Sequence, residues 1–136
     1  VKKRTVIQFM DEEGEIELRF EGGKHLKGVN YVGSHLPNYD SMLVISHFKG
    51  HPMGGFGGAL KQLSIGCAST EGKAWIHSAG KTADVNGIWR NVAPQEKFLE
   101  AMADAALSVV NLFENKIAYI NIMCNMSVDC DCCGGV

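Results

Sequence analysis

The sequence predicts an α/β fold: a mixed sheet with two buried, parallel strands near residues 41–48 and 117–123, covered by helices, plus an N-terminal β-hairpin. Three observations carry this expectation. Two short, nearly unbroken apolar runs, Ser41–Phe48 and Ile117–Met123, read as strands covered on both faces, as in parallel sheets. Between them, Pro94 to Phe113 holds an apolar stripe at helical spacing. Ahead of both, Glu15–Phe20 alternates strictly between charged and apolar residues, the period of a strand with one wet face.

Taken in order, the hairpin comes first. Thr5–Met10 is rich in β-formers, Asp11-Glu12-Glu13-Gly14 reads as a turn, and Ile16, Leu18 and Phe20 share the inner face of the second strand. Glu21-Gly22-Gly23 ends it, and a polar, irregular stretch containing His25 and His35 runs to Asp40. After the first apolar run, Gly57–Ile65 reads as a helix that Gly66 caps. The glycine-punctuated residues through Trp75, His77 and Trp89 read as loop with short extended pieces. Pro94 suits the first turn of the long helix, whose apolar face includes Phe98, Met102, Ala105, Val109 and Phe113, and Asn115-Lys116 closes it.

With 136 residues, 46% hydrophobic and 21% charged, the chain fits one globular domain over residues 1–136. A net charge of −2 argues against a nucleic-acid partner, which calls for a basic surface. No stretch approaches the roughly 20 apolar residues that span a bilayer, so no membrane partner is expected. The start lacks the apolar core of a signal peptide. Because Val1 is not Met and the chain stops just past a cysteine cluster, it reads as part of a longer parent chain. Four of the five cysteines fall after residue 123, a clustering expected of reduced thiols in the cytoplasm rather than of a disulfide framework.

Chemistry concentrates where each apolar run ends. Ser46–Gly58 follows the first and Cys124–Cys133 follows the second; parallel neighbouring strands would bring both to the rim where open α/β sheets bind ligands. His47 and His51 offer imidazoles, while Cys130 and Asp129 offer a thiolate and a carboxylate, a donor set suited to zinc or iron. Gly50 and Pro52 oppose the helix that would put both histidines on one face, so hydrogen-bonding roles are the alternative. Lys49 supplies a fixed positive charge and His77 a proton carrier, which makes them the candidate catalytic groups.

Gly54, Gly55, Gly57 and Gly58 precede a helix and would let the backbone approach an anionic ligand or cofactor closely. They match neither a Walker A loop nor the GxGxxG fingerprint, and a tight packing turn is the alternative. The spacing Cys124-x5-Cys130-x-Cys132-Cys133 supplies neither the two C-x2-C pairs of a zinc ribbon nor a ferredoxin run, so the cluster reads as a partial metal site, redox-active thiols or structure.

Together, Ser46-His47-Phe48-Lys49-Gly50-His51, Gly55–Lys61 with Gly66-Cys67, and Asp129-Cys130-Asp131-Cys132 resemble the uncharacterised Fe-S centre proteins, a domain of unknown function often joined to a ferredoxin-like segment. The resemblance covers residues 40–135. It implies a cytoplasmic microbial protein linked to electron transfer, with a ferredoxin-like segment or other electron donor as partner. The C-x2-C-x2-C-x3-C-Pro run that would hold a 4Fe-4S cluster in longer relatives is absent from this sequence. The readings in contention are a redox-associated domain with a metal or anion at the strand-end site, a non-catalytic binding module using the glycine loop, and a purely structural domain.

Overall fold

The computed structural model describes residues 7–124. Strand β1 (Glu15–Arg19) pairs antiparallel with β2 (Val29–Gly33). Strand β3 (Met42–His47) leads into a short antiparallel pair, β4 (Lys49–His51) with β5 (Gly55–Gly57). A short helix α1 (Ala59–Lys61) continues into a π-helical turn over Gln62–Gly66, followed by α2 (Thr70–His77) and the long α3 (Gln95–Leu112). The chain then returns as β6 (Ile117–Ile122), which lies parallel to β3 in a register running from Met42 beside Ile117 to His47 beside Ile122.

Helix α3 organises the interior. Its Phe98, Ala101 and Met102 pack with Phe20, Leu26 and Ile76, while its Ala106 and Val109 pack with Val32, Val44 and Leu63. One stripe at the 3.6-residue period therefore serves two apolar clusters. The helix ends as expected: Glu114 and Asn115 take left-handed conformations (φ 49° and 64°), and the Lys116 N–H closes onto the Phe113 carbonyl at 2.8 Å.

The parallel pairing of the two apolar runs, the long helix and an N-terminal hairpin all match the sequence reading. Five details differ. The partner of β1 is Val29–Gly33, not Thr5–Met10; residues 7–10 form no strand, and the Met10 carbonyl accepts from the His35 N–H instead. The alternation of β2 is hidden because its inward positions are Asn30 and Val32, with Asn30 donating to Ser108 Oγ at 2.9 Å. Its amide nitrogen also donates to the Ala105 carbonyl at 3.4 Å, so Asn30 breaks the apolar pattern without breaking the strand.

The stretch read as loop contains α2. Ser69 caps it by accepting from the Gly72 N–H at 2.9 Å, so a cap drives a helix whose glycine argues against it. Strand β3 is covered on one face only, and β6 is exposed from Ala118 to Ile122. Val44 and Ser46 point inward, whereas Leu43 and Ile45 are 56% and 57% exposed. The described strands also form three two-stranded sheets rather than one mixed sheet.

Last, the glycine-rich segment is largely a hairpin. Gly55 and Gly57 belong to β5 opposite His51 and Lys49, and only Gly58 runs directly into α1.

Candidate functional site

The parallel pairing places the ends of β3 and β6 side by side, and a hydrogen bond ties them. His47 Nε2 lies 2.6 Å from the Cys124 carbonyl oxygen. A carbonyl only accepts, so Nε2 carries the proton and donates. Just beyond, the β4–β5 hairpin folds back over the start of α1. The Ala59 N–H is held at 3.1 Å by Asn121 Oδ1 of β6, so the helix start is capped from the neighbouring strand.

Between these elements lies a cavity of about 460 Å³. Lys49 reaches it from β4, Lys61 from the end of α1 and Lys73 from α2, with His47 at its edge. Gly57, Gly58 and Gly66 contribute bare backbone, and Gln62 and Ile65 complete the wall. No acidic side chain among the described residues lines it. A chain of net charge −2 thus gathers three lysines around one concavity.

The electrostatics follow from that crowding. Burial, and then the Lys49 charge, push the Lys61 ammonium below the usual lysine range. His51 is pushed down by burial first, then by Lys61, Lys49 and His77. His77 is pushed down by burial; its hydrogen bond to the Lys73 carbonyl opposes this, and Lys61 lowers it further. Each of these groups would hold its positive charge more easily beside an anion.

The glycines divide. Gly57 and Gly58 line the cavity, whereas Gly54 donates its N–H to His51 Nδ1 at 2.9 Å and Gly55 (φ 72°) makes the hairpin turn. A Cβ on Gly58 would sit 3.2 Å from Asn121 Oδ1 and 3.3 Å from the Phe48 ring, so the backbone passes close to β6.

The two histidines expected as metal ligands are both engaged: His47 through Nε2 to a carbonyl, and His51 through Nδ1 to an amide. Cys130 and Asp129 lie outside the described residues. Among the described residues no three His, Cys, Asp or Glu side chains come together as a metal would require. His77 packs against Phe98 with ring centroids 4.8 Å apart and donates through Nδ1 to the Lys73 carbonyl at 2.6 Å, leaving Nε2 as the nitrogen able to take up a proton.

The two described cysteines differ in setting. Cys67 sits in the core with burial pushing its thiol up to about 11, and Cys124 is exposed at the strand end. Cys130, Cys132 and Cys133 lie outside the described residues, so no cluster chemistry is placed on this chain's geometry.

The sequence carries one local signal for Lys73, which stands four residues before His77, on the same face of the helix that Ser69 caps.

An α/β domain with a basic pocket at the carboxyl end of a parallel strand pair is what fold and site together define. Over residues 1–135 the chain matches the model of the family described as Domain of unknown function (DUF362), and it belongs to that family. No curated protein and no solved structure matches the chain. No helix among the described residues is long and apolar enough to cross a membrane.

Proposed function

We propose that this domain binds a small anionic ligand in the pocket where the ends of β3, the β4–β5 hairpin, α1 and α2 meet. The observation that carries this reading is the convergence of Lys49, Lys61 and Lys73 on one cavity, with Lys61, His51 and His77 all depressed by burial and by their cationic neighbours. Lys61 is depressed by burial and by the Lys49 charge, and an anion in the cavity relieves both. Lys49 lines the cavity and is the candidate group to act on such a ligand, whereas His77, the other candidate, lies outside its lining and bonds the Lys73 carbonyl. The sequence expectation of a glycine-loop anion site is sharpened: Gly57 and Gly58 supply backbone, and the charge comes from the lysines.

The test is calorimetric titration of the full chain with inorganic phosphate at low salt. Lys61→Gln and Lys73→Gln are expected to weaken binding, while Lys97→Gln, exposed on α3, leaves it unchanged. Binding that ignores both pocket lysines would reject the site.

A redox association, with zinc or iron held by His47, His51, Asp129 and Cys130, is the second reading. The contact between His47 and the Cys124 carbonyl favours it, because it sets the first residue of the second polar run beside His47. In this reading the domain is cytoplasmic and works with a ferredoxin-like segment or another electron donor. Metal analysis after anaerobic purification, with His47→Ala and Cys130→Ser alongside, separates the two readings. Stoichiometric metal lost in both variants supports the second, and no metal in the wild type counts against it.

A further inference from the structure

We propose that the ligand of this pocket is a phosphorylated small molecule, gripped by its phosphoryl dianion between the Lys61 and Lys73 ammoniums. This rests on the anion-binding reading above and names its ligand class.

Charge comes first. Lys61 and Lys73 enter the cavity from different helices, and among the described residues neither takes part in an ion pair. A monocarboxylate offers one negative charge to two half-buried ammoniums and leaves one of them uncompensated. A phosphoryl group carries close to two charges at neutral pH, which matches the pair.

Shape is the second argument. A carboxylate is planar, and its best partner is the flat fork of an arginine. The charged side chains that line this cavity are lysines, with His47 at the edge, and no arginine is among them. Ammonium groups are point donors that approach from separate directions. That arrangement suits a tetrahedral group whose oxygens also point in separate directions.

Space is the third. The cavity, about 460 Å³, holds roughly fifteen times the volume a water molecule takes in the liquid, far more than a phosphoryl group alone. Ile65 gives the wall an apolar patch for the rest of the molecule, and the Gln62 amide a polar one. The Gln62 amide lies over the bare Gly66 backbone, where a Cβ would come 2.5 Å from its Oε1.

The experiment compares phenyl phosphate with benzoate on the full chain at pH 7.5 and fixed ionic strength, by calorimetry. Both carry one aromatic ring, and they differ in the charge and shape of the anionic group. Phenyl phosphate is expected to bind at least about tenfold more tightly than benzoate, and Lys61→Gln or Lys73→Gln to weaken it by about tenfold or more. Benzoate binding as well as phenyl phosphate would overturn the phosphoryl assignment while leaving the anion site standing. Failure of both ligands to bind would remove the anion site with it. The comparison on wild-type protein decides the matter even if a variant folds poorly.

Discussion

Replacing Asp104 with alanine should release the loop between β1 and β2. This carboxylate, buried on α3, accepts three successive backbone amides through one oxygen: Lys24 N–H at 2.7 Å, His25 N–H at 2.6 Å and Leu26 N–H at 3.1 Å. The loop needs the tie because Gly22, Gly23, Lys27 and Gly28 all take positive φ, and Lys27 does so against its side chain. Glu100, one turn earlier on the helix, adds contacts to Lys24 Nζ and His25 Nε2 at the surface. Hydrogen bonds to a charged acceptor contribute about 1.5–3 kcal/mol each. The Lys24 and His25 amides are partly accessible and regain water, whereas Leu26 is fully buried and its amide does not. Asp104→Ala should therefore cost about 3–5 kcal/mol. Asp104→Asn, which keeps an acceptor oxygen in the same place, should cost about 1–2 kcal/mol. Urea denaturation reads both as lower midpoints at unchanged slope. A loss below about 1 kcal/mol for the alanine variant, or equal losses for the two variants, would refute the reasoning.

Three further outcomes follow from the same contacts. Asn121→Ala removes the side chain that caps α1 and should cost about 1 kcal/mol while weakening phosphate binding, because α1 carries Lys61; calorimetry and thermal melts read the two effects. Gly72→Ala should destabilise by about 1–3 kcal/mol although alanine favours helices, because its Cβ would lie 2.0 Å from the Tyr31 carbonyl oxygen; a higher melting temperature would contradict this. His77 is held below its ordinary range mainly by burial, so the folded state binds fewer protons than the unfolded one and stability falls as pH drops below about 6.5. His77→Gln should flatten that acid-side decline in denaturant titrations at pH 7.5 and pH 5, and an unchanged slope would count against it.

Much of this fold was legible because its strongest signals are periodic and local. The stripe of α3 and the two apolar runs identified their elements, and the unbroken character of those runs pointed to a parallel pairing. What escaped depended on tertiary satisfaction. Asn30 is inward only because Ser108 meets it, and α2 depends on the Ser69 cap and on Gly72 fitting under Tyr31. The outward apolar residues of β3 and β6 look the same in sequence as residues covered on both faces. At the site, the histidines, the glycines and Lys49 stand out by residue type beside the strand end, whereas Lys61 and Lys73 do not. Lys61 and Lys73 matter through their convergence from two helices, which no local spacing displays.

The central claim is that an anion sits among the lysines at the strand ends. Amide chemical shifts of the full chain, followed by NMR through a phosphate titration at low salt, test it most directly. The account predicts saturable shifts at Gly57, Gly58, Lys61 and Gly66, weakened by added salt as the charges are screened. Shifts confined to residues away from this cavity, or a titration that leaves these four amides in place, would contradict it.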